Sequence, residues 1–189
     1  MRARVFRDIR GSIQQAKGYM EKNNLIKLRD LTPADIPAAR DITWCAWLAT
    51  YSRFIPEADL RSYFDKHYST EALTEFFSAP DNSGCIALAD GAAAGYCRTH
   101  FDRQEGRFYI SSLYILPGYQ DAGLGTLLLE RAEGFAKTCG VHEVWLGVMV
   151  ENTDALAWYR NKGFQFMREE PFSMGATTVA HLLGFKRID

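Results

Sequence analysis

The hydrophobic positions along this chain change period several times, and each change marks an element. Residues 25–31 read as a first strand, closed by Thr32-Pro33-Ala34-Asp35. There Thr32 is placed to cap a helix and Pro33 takes its first position; the helix should run to about Leu48. Leu60, Tyr63 and Phe64 after Pro56 predict a short second helix, and Ser69 or Thr70 caps a third through Leu73, Phe76 and Phe77 before Pro80. Residues 85–89 and 95–101, joined by Asp90-Gly91, predict a β-hairpin. A polar turn over 102–107 leads into a further strand, 108–115, so three antiparallel strands are expected in succession.

Residues 113–126 then run Leu-Tyr-Ile-Leu-Pro-Gly-Tyr-Gln-Asp-Ala-Gly-Leu-Gly-Thr, a strand entering a helix through a glycine-spaced turn. Leu124, Leu127, Leu128, Ala132 and Phe135 recur at helical spacing, with an end near Gly140. Residues 142–148 are a strand, and Asn152-Thr153-Asp154 can cap a helix carrying Ala155, Leu156, Trp158 and Tyr159 that stops at Gly163. Residues 164–168 and 178–185 are expected as final strands, joined by Pro171-Phe172-Ser173-Met174-Gly175. The whole is an α/β (α+β) pattern, a mixed and mostly antiparallel sheet flanked by helices.

Residues 1–24 stand apart. Phe6, Ile9, Ile13, Ala16 and Met20 step by three and four, as on one face of a helix. Six basic residues against Asp8 and Glu21 give the segment a local charge of +4. Such a stripe is expected to pack on its own domain or on a dimer mate; a basic membrane-surface helix or an organelle transit segment is the alternative reading. The rest, 25–189, is long enough for one domain with a substantial core.

A formal net charge of −1 supplies no general attraction to nucleic acid. Cys45, Cys85, Cys97 and Cys139 form no C-x-x-C pair and sit near no suitably spaced histidine, so no metal is expected and the thiols should be reduced. Without an apolar run of ~18 residues or a secretory core, the expectation is a soluble, cytoplasmic protein with no membrane span.

The chemistry concentrates at 120–126. A helix start carries unpaired N–H groups and the positive end of the helix dipole, and glycines such as Gly123 and Gly125 remove Cβ atoms that would hold a phosphate off that backbone. No Gly-Lys-Ser/Thr follows, and the first glycine of a dinucleotide fingerprint is missing. Gln120-x-x-Gly123-x-Gly125 after a strand, then Asn152-x-x-Ala155-x-x-x-Tyr159-x-x-x-Gly163-Phe164, resembles the cofactor half of the GNAT superfamily of N-acetyltransferases. The likeness spans about residues 25–185. Trp-Leu-Gly-Val at 145–148 and Phe-x-Met-Gly at 172–175 resemble the PaiA-type spermidine/spermine acetyltransferases within it.

That resemblance implies a GNAT fold with an extra N-terminal helix and acetyl-CoA as co-substrate. It places main-chain groups of Leu113 and Ile115 on the pantetheine arm, the backbone of Gln120, Asp121, Ala122, Gly123, Leu124, Gly125 and Thr126 on the pyrophosphate, Asn152 on the pantetheine, and Tyr159 by the sulfur. An amine attacking a thioester makes an oxyanion and then expels a thiolate, so Ile115 N–H would stabilise the first and the Tyr159 hydroxyl protonate the second. The plain alternative for Tyr159 is a core aromatic beside Trp158.

Many relatives carry a glutamate on the strand before the cradle as base; here Ser111 and Ser112 stand there. His100, Glu143, Tyr51 or ordered water are the candidates in its place. The expected acceptor is a small primary amine, with a polyamine favoured if Glu57, Asp59, Asp65 and Glu71 converge on the cleft. An acetylase of peptide amines or amino-sugar antibiotics is the rival enzyme, and a non-catalytic acyl-CoA sensor the rival of another class.

Overall fold

The computed structural model describes residues 26–189; the N-terminal helix expected over 1–24 lies outside them. One seven-stranded sheet, ordered β1-β2-β3-β4-β5-β7-β6, runs through the domain. Strands β1 (Ile26–Asp30), β2 (Asn82–Ala89), β3 (Ala92–Asp102) and β4 (Arg107–Ile115) pair antiparallel in sequence order. The β2–β3 turn places Asp90 and Gly91 at φ 50° and 85°, the paired left-handed geometry that suits Asp-Gly.

Helices α1 (Ile36–Thr50), α2 (Glu57–His67) and α3 (Thr70–Ser78) cover one face, and α4 (Leu124–Thr138) and α5 (Thr153–Asn161) the other. On the first face Ile36, Trp47, Leu60, Phe64, Met149 and Val179 form a buried cluster. On the second, Leu124, Leu128, Leu146, Val148, Leu156 and Tyr159 do.

The first helix starts later than the sequence indicates. Pro33–Asp35 is a separate 3₁₀ turn, and the Asp35 carboxylate accepts from Thr32 N–H (2.9 Å), Thr32 Oγ1 (2.7 Å) and both arms of Arg29 (2.6 and 2.7 Å). Ser69 does cap α3, accepting from Ala72 N–H at 3.0 Å.

The C-terminal hairpin corrects a boundary. Residues 171–174 of the expected connector are strand: β6 (Gln165–Met174) pairs with β7 (Thr177–Arg187), including Pro171 against Ala180, and only Gly175 of the connector lies in the turn. A strand proline is tolerated because β6 is the sheet edge, where an N–H toward solvent is not missed. A bulge between Phe166 and Arg168 leaves Met167 67% exposed.

Candidate active site

Two strands make the site by parting. β4 and β5 (Glu143–Met149) run parallel and pair only through Phe108 with Val144 and Tyr109 with Trp145. A cleft of ≈ 450 Å³ opens beyond, walled by β4 residues 110–115 and β5 residues 146–148. A bulge assists, because Arg98 pairs with Ser112 and Thr99 with Ile110, leaving Ser111 without a β3 partner. Leu116 N–H donates to Ala94 C=O at 2.9 Å on the β3 side. Strand alternation therefore turns the N–H and C=O groups of Leu113 and Ile115 into the split.

The turn into α4 borders the same cleft through Gln120, Asp121, Gly123, Gly125 and Thr126. Asp121 and Gly123 sit in the left-handed region at φ 66° and 80°. A Cβ on Gly123 would meet nothing within 4 Å, so this glycine serves the backbone conformation and leaves the helix mouth open. Gly125 works differently: its Cβ would fall 3.2 Å from both Ile115 Cδ1 and Trp158 Cζ2, so glycine lets the helix start close against β4 and α5. Thr126 and Leu127 N–H donate back to Gly123 C=O, and the N–H groups of Leu124 and Gly125 precede the first helical bond. The Leu124 side chain is 1% exposed and Ala122 packs on the same core, so these two contribute no side chain to the cleft wall.

Asn152 and Tyr159 also line the cleft. Asn152 Oδ1 caps α5, accepting from Ala155 N–H at 3.4 Å, and its side chain hydrogen-bonds the Tyr51 hydroxyl. Tyr159 is 9% exposed and meets Trp158 and Phe164 edge-on, at 4.8 and 5.3 Å between centroids. Burial, with Cys97 and Tyr51 nearby, raises its hydroxyl far above the ordinary phenol value, so it keeps its proton through the neutral range.

The candidate bases separate cleanly. His100 lies outside the cleft, its Nδ1 2.6 Å from Asn82 Oδ1, and Glu143 pairs with Arg187 at 3.4 Å. Tyr51 does line the cleft, but burial pushes its hydroxyl up to about 12, making it a donor near neutrality rather than a base. Ser112 lies 3.1 Å from the Tyr68 hydroxyl, which also accepts from Arg98 Nη2 at 3.1 Å. None of Glu57, Asp59, Asp65 and Glu71 lines the cleft; Asp59 instead accepts from Ala176 N–H and Thr177 Oγ1 in the β6–β7 turn.

One neighbour of the cleft escaped the sequence reading. His181 on β7 packs its ring over Gly147, where a Cβ would fall inside the imidazole. The legible signal was a lone glycine inside the bulky run Val-Trp-Leu-Gly-Val, a mark of close approach whose partner only the β5–β7 register names.

A split parallel pair whose free strand edge leads into an open helix N-terminus is the architecture of a CoA-dependent N-acyltransferase. The sequence profile of the Acetyltransferase (GNAT) family matches residues 39–164, and the chain belongs to that family: it is an N-acetyltransferase. It is 30% identical over 118 residues to an uncharacterized N-acetyltransferase of Mycobacterium tuberculosis, covering 62% of this chain and 74% of that protein. It is 26% identical over 144 residues to the spermidine N(1)-acetyltransferase of Thermoplasma acidophilum, covering 74% and 88%. Its fold matches the PaiA N-acetyltransferase of Thermoplasma acidophilum, solved in complex with coenzyme A, with a TM-score of 0.73 at 23% identity over 86% of this chain and 98% of that one. Among the described residues no helix is long and apolar enough to cross a membrane, and no cluster of three or more His, Cys, Asp or Glu could hold a metal ion.

Proposed function

We propose that this protein transfers the acetyl group of acetyl-CoA directly to a small primary amine, of the polyamine class, in the cytoplasm. The observation that carries it is one cleft lined by the free backbone edge of β4, the start of α4 and Tyr159. Leu113 and Ile115 pair with the amide groups of pantetheine as an added strand would. The backbone of 120–126 takes the pyrophosphate, because unpaired N–H groups and the helix dipole both favour anionic oxygen there. Asn152 faces the pantetheine arm, Ile115 N–H stabilises the oxyanion of the attacked thioester, and Tyr159 gives its proton to the departing sulfur.

The polyamine class rests on the likeness to the spermidine acetyltransferase. Cytoplasmic residence rests on the free thiols of Cys45, Cys85, Cys97 and Cys139. The test is calorimetry with acetyl-CoA followed by a turnover panel of spermidine, spermine, simple alkylamines, peptide N-termini and amino-sugar antibiotics. Turnover favouring spermidine and spermine is expected. A preference for peptides or amino sugars would move the acceptor, and binding with no turnover anywhere would make the chain an acyl-CoA sensor.

A further inference from the structure

The geometry points to His181 as the base that takes the proton of the acceptor amine, facing Tyr159 from the opposite side of the sheet. This rests on the acetyl-transfer reading and adds the group that Ser111 and Ser112 do not supply.

His181 pairs across β7 and β5 with Met149, which packs with Trp47, Leu60 and Phe64 beneath α1 and α2. The imidazole is therefore on the acceptor-side face. Gly147 lies on that same face and lines the cleft where β4 and β5 part, and the volume its side chain would fill is taken by the His181 ring. On the other face, Leu146 and Val148 join Tyr159 in the α4–α5 core. Two protic side chains thus flank the split from opposite faces, one to receive the acceptor's proton and one to supply the sulfur's.

The ring is also prepared for the task. The backbone of Gly147 lies against it and favours its protonated form, as a carbonyl accepting from a ring N–H does. Phe172 lies across it at 5.1 Å between centroids and restrains its rotation. Glu170 of β6 is the charged group facing the imidazole; behind Phe172 stand Tyr63 and then His67 of α2, and β5 presents only Gly147 and Met149. Burial lowers the imidazole pKa, the Gly147 bond and Glu170 opposing it, so the ring is neutral at pH 7 and able to accept.

The step balances. The acceptor enters as an ammonium and gives one proton to the His181 lone pair; the neutral nitrogen then bonds to the acetyl carbon, the C–S bond breaks, and sulfur takes the proton held by Tyr159. The second nitrogen proton, shed as the amide forms, restores the Tyr159 hydroxyl; amide and free thiol leave, and the imidazolium releases its proton to solvent.

The experiment follows kcat/KM against pH for an alkylamine in wild type, His181→Asn and His181→Gln, with acetyl-CoA affinity and melting temperature measured alongside. A 10²–10⁴-fold loss is expected at neutral pH with affinity and melting unchanged. The loss should shrink as pH approaches the amine's own pKa of about 10.4, and should be small for a hydrazine or alkoxyamine, whose nitrogen is already neutral. An equal loss at every pH and for both amine types overturns the proposal in favour of a packing role, and full activity in both variants overturns it outright. Should neither variant fold, NMR of the wild-type imidazole still decides: a ring charged at pH 7, or one undisturbed by a bound amine, overturns the proposal. Wild-type protein that turns over no amine sinks the acetyl-transfer reading itself, and this proposal with it.

Discussion

Asp59 and Thr177, 118 residues apart, are joined by a 2.6 Å hydrogen bond from the threonine hydroxyl to the carboxylate. Ala176 N–H donates to the same carboxylate at 3.0 Å, and Gly175, at φ 62°, has no Cβ to strike Asp59. The β6–β7 turn is thereby pinned to the first turn of α2.

Removing that pin should loosen the acceptor side alone. Asp59→Ala is expected to raise KM for the amine and lower the melting temperature while leaving acetyl-CoA affinity unchanged, because the α4 cradle lies on the other face. Initial-rate kinetics with each substrate varied in turn checks it.

The cradle is expected to fail when its helix start is crowded. Gly125→Asp brings a Cβ 3.2 Å from Ile115 and Trp158 and a negative charge toward the pyrophosphate. Acetyl-CoA affinity should fall at least tenfold, about 1.4 kcal/mol. Undiminished affinity by calorimetry removes residues 120–126 from the cofactor site.

Tyr159→Phe keeps the ring that meets Trp158 and Phe164, so folding should hold. Turnover should drop by about 10²–10⁴-fold, equivalent to roughly 3–5 kcal/mol of barrier. The defect should narrow as pH rises, because a thiolate with a pKa near ~8.5 leaves unaided once it need not be protonated. Wild-type turnover by the variant from pH 6 to 9 makes Tyr159 a core residue.

Acid should loosen the entry to α1. The Arg29 guanidinium, with help from Thr32, holds the Asp35 carboxylate well below its usual range. A depressed folded pKa stabilises above the unfolded value, near 3.9, and the contribution is lost as pH falls from there toward the folded value. Asp35→Asn should therefore be less stable than wild type at neutral pH, with the difference closing below about pH 4. Thermal melting against pH reads this directly.

Leu128→Ala tests the core beneath the cradle. The side chain is fully buried against the sheet, so its loss should cost about 2–5 kcal/mol in denaturant unfolding.

The element order, the turn chemistry and the strand–turn–helix cradle were legible in the sequence because each is a local matter. Asp90-Gly91 adopts left-handed geometry within its own turn, Ser69 reaches a donor three residues on, and the Leu124-to-Phe135 spacing specifies an amphipathic helix without reference to the rest of the chain. Gln120 through Thr126 and the Asn152-to-Tyr159 spacing were visible for the same reason, and so was the family they mark. Reach across the sheet was not. The divergence of β4 from β5 depends on a bulge at Ser111 and on which strand lies next to which. Gly125 could be read as a glycine, but only the packed structure shows that it makes room for Trp158. His100, Glu143 and Tyr51 looked equivalent as bases in one dimension. They separate once hydrogen-bond partners and burial are fixed. His181 came to lie over Gly147 of the cleft wall only through the β5–β7 register, because a histidine in a strand carries no local mark of the backbone it will lie against; that contact is set by long-range pairing, which the tertiary structure alone decides.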